Sequence, residues 1–515
     1  MRKIFLFTAI VLLGLAPLRS PFAGTDSSTT TRRETTTIRS GGGIPRFTLD
    51  EAILTALQRN PTIQRERQEI ERTKGVYLQM RGQVLPRLDA TADESTVDPH
   101  LGRFSGATGA SATSTSYVLS LRVSQPIFTG GRLFAQVRNA DFQRDASYFG
   151  FRDAIDTVVA LVRTQFYQVL LDRALIGVQE ESVKLLESQL KDQQNRFEAG
   201  TVPRFNVLQA QVALSNQYPE LISARNNYRI AQIQLARTLG LDFDPNRGDA
   251  APLEAVGELH QDSRNMSLPH AIEVAKERRP FLKQQKANVL ASHENVNVAR
   301  SNFLPQLSAS ASAEAQSSPL SEDIRNARTG YVIGGTGNWA IWDWGQNLGL
   351  LKQARAVQEE SKITLDDAAR QVELEVQQAY SNMIQSAELI RSQQENVGQA
   401  EEALRLASAR LSAGAGTQLE VLNARVEVTR AQSTTLQALY TYNAALAEFD
   451  RVTATEVTYA NDLDEPKTRN VLKTDPAPTP APKPTPLPLN HAGIREPVTN
   501  VRTRTTTTTT VSGGK

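Results

Sequence analysis

Apolar side chains recur every seven residues over two long stretches of the chain. Val162, Val169, Ile176, Val183, Leu190 and Phe197 keep the interval in the first, and Val376, Met383, Ile390, Val397, Leu404 and Leu411 keep it in the second. A further stripe follows each: Val207, Leu214, Leu221, Tyr228 and Leu235, then Val421, Val428, Thr435, Tyr442 and Phe449, with one polar lapse at Thr435. Sustained heptads predict long helices packed as coiled coils. No proline falls between residues 132 and 197. At about 1.5 Å per residue that stretch can form a helical path of roughly 100 Å. Stripes this narrow bury little in a monomer, which predicts side-by-side packing in an oligomer. The Gln-, Asn-, Arg- and Glu-rich sequence between them, such as 189–196 and 393–399, reads as solvated helix face.

Elsewhere the period is two. Leu88, Ala90 and Ala92, then Tyr117, Leu119, Leu121 and Val123, alternate with polar residues, as do Leu307, Ala309, Ala311, Ala313 and Ala315. The alternation predicts strands with one apolar face at 88–96, 117–126, 307–315 and 331–341. Ser/Thr/Gly-rich loops lie between, at 94–116 and 316–330. Such lengths suit membrane strands of ~9–11 residues. Four strands cannot close a barrel, and an open edge in lipid leaves backbone groups without partners, so closure requires several chains. Trp339, Trp342 and Trp344 follow the fourth strand. They read either as an interfacial girdle or as a core cluster.

The chain is written twice. Leu49, Ala52, Ile53 and Pro61 match Leu268, Ala271, Ile272 and Pro280, and Leu85-Pro86 matches Leu304-Pro305, all at an offset of 219. Farther on, Arg196, Ala199 and Gly200 with Val207-Leu208 match Arg410, Ala413 and Gly414 with Val421-Leu422, at an offset of 214. The change falls between the strands, where loops accept insertions. Repeats are therefore expected at 47–266 and 267–455.

Arg2 and Lys3 precede an apolar run over residues 4–16, the arrangement of a signal peptide, assigned to 1–24 with Ala23 and Gly24 small enough for cleavage. A linker at 25–46 and a Pro/Thr-rich tail at 456–515 have the composition of disordered chain. With 57 basic against 55 acidic side chains, no broad cationic surface for nucleic acid exists. The chain has no cysteine, hence no disulfide or thiolate metal site. His100, His260, His270, His293 and His491 lack metal-ligand spacing, and Gly334-Gly-Thr-Gly337 lacks the lysine of a phosphate loop. No catalytic residue, metal or cofactor is expected. Two classes remain, an exported conduit and a structural coiled-coil or adhesin-like envelope protein, and the paired strands favour the conduit.

Signal peptide, duplicated helix–strand–strand–long helix–return helix order, and an Arg-aliphatic-or-aromatic-x-Ala-Gly and Val-Leu-x-Ala pattern at each helical turn together resemble the TolC family of outer-membrane efflux proteins over 47–453. The resemblance implies a mainly α fold with membrane β. In it a homotrimer builds a twelve-stranded outer-membrane β-barrel continued by a coiled-coil tunnel in the periplasm. It further implies a passive exit duct of a tripartite efflux or type I secretion system, docking a periplasmic adaptor and an inner-membrane pump. By the same resemblance the turns 199–206 and 413–420 form the periplasmic tip, with Arg196, Gly200, Arg410 and Gly414 at the adaptor contact. Asn206, Glu420 and Asn423 match an acidic pore constriction, of which only Glu420 keeps its charge. The glycines have the ordinary alternative of ending a helix.

Overall fold

The structure, a computed structural model, describes residues 45–97, 114–241, 252–261, 267–317 and 327–455. The signal peptide, residues 25–44 of the linker and the tail lie outside them. Element order is β1 (Arg46–Phe47), α1 (Leu49–Arg59), α2 (Pro61–Gly82), β2 (Arg87–Val97), β3 (Ser114–Phe128), α3 (Arg132–Glu198) and α4 (Arg204–Leu239). It continues with β4 (Glu254–Ala255), α5 (Leu268–Arg278), α6 (Pro280–Ser301), β5 (Gln306–Gln316), β6 (Arg328–Asn338), α7 (Gln346–Ser412) and α8 (Gln418–Thr453).

Local chemistry explains the helix starts. Thr48 and Glu51 form a reciprocal capping box on α1, and Asn60 caps α2, its Oδ1 accepting from Thr62 N–H at 2.8 Å. Pro61 and Pro280 sit at first helical positions, where a missing N–H costs nothing. The helices α3 and α7 each run 67 residues, roughly 100 Å at helical rise, and α4 and α8 each run 36. Along α3 the heptad residues Val162, Val169 and Val183 are buried, and along α7 so are Val376, Met383 and Ile390. Thr435, the polar lapse, satisfies its hydroxyl on the Ala431 carbonyl at 2.9 Å.

Each repeat has its own core. Ala52, Ala56, Ile63, Val158, Val162 and Leu235 pack together in one. Their sequence counterparts Ala271, Ala275, Leu282, Val372, Val376 and Phe449 pack together in the other. Small alanines on α1 and α5 let those short helices lie close against the long ones.

Strands β2, β3, β5 and β6 form one antiparallel sheet in that order, leaving β2 and β6 at its edges. One row across it reads Leu88, Val123, Ala311, Ile333, and a row on the opposite face reads Thr91, Ser120, Glu314, Gly330. Leu88, Val123 and Ile333 are exposed, so the sheet presents an uncovered apolar face. The polar face is hydrogen-bonded within itself, Thr91 to Ser120 at 2.8 Å and Arg122 to Ser310 at 3.1 Å.

Several boundaries differ from expectation. The fourth strand, expected at 331–341, spans Arg328–Asn338 instead. It ends before the tryptophans because β5, its one strand partner among the described residues, begins at Gln306 opposite Asn338. Arg46, expected in the linker, starts β1, which pairs with β4, and its guanidinium meets Glu254 at 2.7 Å. No helix of the described residues is long and apolar enough to cross a membrane.

Candidate functional site

Both long helices end in the same way. At the end of α3, Gly200 adopts φ +71°, its N–H donates to the Phe197 carbonyl at 2.9 Å, and Thr201 N–H donates to the Arg196 carbonyl at 2.9 Å. At the end of α7, Gly414 adopts φ +75°, and the Leu411 and Arg410 carbonyls accept from Gly414 and Ala415. These are paired Schellman motifs, closing helix carbonyls that would otherwise be orphaned. A Cβ on either glycine would meet nothing within 4 Å. The left-handed backbone therefore requires glycine here, and close packing within the chain does not.

The two turns differ in charge. Arg196 is held on its own helix by Asp192 at 2.9 Å. Arg410 instead reaches across its turn, 3.4 Å from the Ala415 carbonyl and 4.0 Å from Glu420. Glu420 lies in the first turn of α8, where Thr417 caps the helix and its Oγ1 accepts from Glu420 N–H at 3.3 Å. Asn206 holds the matching position in the first turn of α4, half-buried, and Asn423 is exposed on α8. The structure thus brings Arg410 and Glu420 together. Among the described residues, Asn206 and Asn423 make no side-chain hydrogen bond.

At the other end of α7, Trp339, Trp342 and Trp344 follow β6 and are 55%, 75% and 89% exposed, so they do not form a core. Trp339 donates to the Phe303 carbonyl at 3.1 Å, and Trp342 and Trp344 meet edge-on at 5.7 Å. Trp344 adopts φ +52°, an unfavourable conformation for a bulky residue. Its counterpart in the first repeat is Gly130, φ +63°, where a Cβ would fall 2.8 Å from the Ser301 carbonyl. Asp343 supports the turn by accepting from the backbone of Gly345 at 3.0 Å and Asn347 at 2.8 Å.

Polar groups outside the predicted set tie the repeats together. Arg163 on α3 and Asp450 on α8 pair at 2.9 Å with side chains 10% and 3% exposed. Each sits beside a heptad residue, Val162 and Phe449, and a charge flanking the stripe is the only sequence signal. Gln193, read as solvated face, is buried and donates to buried Gln418 at the start of α8 at 3.2 Å. In the second repeat Arg279 meets Glu375 at 2.5 Å, with Arg451 at 3.6 Å. Burial pushes Glu375 up, but hydrogen bonds from Arg279 and Gln371 and the charges of Arg279 and Arg451 outweigh it and hold the carboxyl below its ordinary value. Nearby Asp153 is raised by burial, an effect that Arg279 and Arg451 only partly offset.

Among the described residues no group of three or more His, Asp or Glu side chains could hold a metal. His260 bonds the Glu258 carbonyl and His293 bonds Gln358, while His100 and His491 lie outside the described residues.

A family model for outer membrane efflux proteins matches residues 52–241 and 271–455. The alkaline protease secretion protein AprF of Pseudomonas aeruginosa is 26% identical over 399 residues, covering 76% of this chain and 81% of that protein. The pyoverdine export outer membrane protein OpmQ of the same species is 26% identical, covering 69% of this chain and 74% of that protein. The crystal structure of the Campylobacter jejuni CmeC outer membrane channel superposes with a TM-score of 0.71 at 16% identity, covering 79% of this chain and 85% of that one.

Proposed function

Because the chain belongs to the outer membrane efflux protein family and is an outer-membrane exit duct, we propose that it works as a homotrimer. Three four-stranded sheets close one barrel, and the helices continue it as a tunnel in the periplasm. The observation that carries this reading is the sheet itself. Among the described residues it has four strands, an uncovered apolar face and two unpaired edges, on the same chain as helices roughly 100 Å long. In lipid those edges need partners, and a further copy of the same sheet supplies them. A fibrous envelope protein, the alternative from sequence, has no use for such a sheet and is set aside by the family match.

The family is one of channel proteins, and the duct performs no catalytic turnover. Its tip, built from Arg196, Gly200, Arg410 and Gly414, docks a periplasmic adaptor that links it to an inner-membrane pump. Asn206, Glu420 and Asn423 line the constriction there, and Trp339, Trp342 and Trp344 rest at the membrane interface, where exposed indoles are favourable.

Native mass spectrometry in detergent tests the assembly: a trimer supports it and a stable monomer overturns it. Cross-linking to the adaptor tests the tip. Gly414→Ala and Gly414→Trp carry the same backbone strain of about 1 kcal/mol, but only the indole projects outward. Docking retained in the first and lost in the second is the expected result. Equal cross-linking in both would remove the tip from the docking surface.

A further inference from the structure

Where α8 lies against α3 and α4, the three helices enclose a cavity of about 500 Å3. Arg425 of α8 lines it and is partly buried. Its Nε and Nη1 are shut off from solvent and have no hydrogen-bond partner, and no ion pair reaches its guanidinium among the described residues. Burial lowers its pKa, and no carboxylate acts in the opposite direction. An arginine cannot escape this cost by losing its proton, so an uncompensated positive charge stays in the wall of the cavity.

The duplicated architecture does not demand a cation here. At the 214-residue offset Arg425 corresponds to Gln211 and Arg430, which lines the same cavity, to Asn216. The acidic side chains nearby do not neutralise Arg425. Glu180 is paired with Arg225 at 2.7 Å, and Glu187 accepts from the Tyr218 hydroxyl at 2.9 Å. Glu427 stands two residues along α8 and lines a different cavity, and positions so spaced do not face each other on a helix. Glu220 lines the cavity with Arg425 but is exposed and forms no ion pair with it. The remaining polar lining consists of groups able to donate, among them Ser182, Asn216 and Thr429.

We propose that this cavity is a binding site for a small oxyanion of the phosphate or sulfate class, with the Arg425 guanidinium as its principal ligand. The planar fork of a guanidinium matches two oxygens of such an anion at once, which a spherical halide cannot exploit. Neutral hydroxyl and amide donors complete the shell, and the cavity exceeds the roughly 30 Å3 of one water many times over. Arg425 lies seven residues after Gln418, roughly 10 Å along α8 from the turn that opens it. An anion held there joins the return helix of the second repeat to two helices of the first. All three helices belong to one chain, so the site stands or falls independently of how many copies assemble.

Calorimetric titration of the full-length protein in detergent with inorganic phosphate, at constant ionic strength, tests the site. Expected is saturable binding of one phosphate per chain, competed by sulfate and not by equimolar chloride. Arg425→Gln, which keeps an amide donor and loses the charge, should bind at least about tenfold more weakly. Glu220→Gln removes the one carboxylate in the lining and should bind at least as tightly as the parent. Unfolding supplies a second readout that does not depend on the ligand. Without phosphate, Arg425→Gln should unfold no earlier than the parent, because it removes a charge that nothing offsets. With phosphate, the parent midpoint should rise and the variant's should not. A parent without saturable binding, equal binding in Arg425→Gln, or equal competition by chloride overturns the site. Binding that appears only in Glu220→Gln identifies Glu220 as the arginine's own partner and overturns it too, as does earlier unfolding of phosphate-free Arg425→Gln.

Discussion

Replacing Asp450 with Asn removes the negative member of the pair that joins α3 to α8 and so the first repeat to the second. The Arg163 guanidinium then stays behind with its partner neutralised, its side chain 10% exposed against 3% for Asp450. Exposed ion pairs are worth under about 1 kcal/mol, but removing one member of a buried pair costs about 3–5 kcal/mol because the other charge stays desolvated. Asn keeps the size of Asp and one accepting oxygen, so the low end applies and a loss of about 3 kcal/mol is expected. The assay is equilibrium unfolding in detergent, where the midpoint shift multiplied by the unchanged slope gives the loss. Arg163→Met combined with Asp450→Leu, which removes both charges and keeps apolar volume, should recover stability to within about 1 kcal/mol of the parent. A single variant within about 0.5 kcal/mol of the parent, or a double variant as unstable as the single, would show that the pair does not join the repeats energetically.

Glu375 has a depressed folded-state pKa, so its contribution to stability is complete above the ordinary glutamate value and is lost as acidification passes through the depressed one. Glu375→Gln should therefore lower the unfolding midpoint at neutral pH and narrow the gap from parent in acid, and a gap independent of pH would refute this. At the tip, Glu420→Gln should weaken cation preference in bilayer reversal potentials. Arg410→Ala, which frees the same carboxylate from a cation 4.0 Å away, should strengthen it, most at low salt. Equal and unchanged selectivities would remove Glu420 from the constriction. At the far ends of the return helices, Ala454 adopts φ +50° where the first repeat has Gly240 at φ +68°. Ala454→Gly should gain up to about 1 kcal/mol in unfolding experiments. Gly240→Ala should lose more than that, since its Cβ would meet the Arg59 carbonyl as well.

Periodicity makes the architecture legible in the sequence. Heptads such as Val162 to Val183 and alternation such as Ala309 to Ala315 are forced by one-sided burial, and the duplication shows each pattern twice. What stays hidden depends on long-range contact. Gln193 carries no local mark that separates it from its solvated neighbours, because burial comes from α8 lying across it. Arg163 and Asp450 stand 287 residues apart, and nothing local to either residue names its partner. The alternating pattern places the end of β6 too far toward the tryptophans, because a strand's length is set by its partner as much as by its own sequence. At the tip, the glycines are legible as helix ends from spacing alone. The ion pair between Arg410 and Glu420 emerges only when the turn is folded.

The central claim is that the folded chain is a conduit through the outer membrane. Purified protein, verified as an intact trimer by native mass spectrometry and added to a planar lipid bilayer, measures this most directly. The account predicts discrete, uniform conductance steps whose reversal potential shifts on Glu420→Gln. Trimers that insert and leave the bilayer insulating, in parent and tip variants alike, would contradict it.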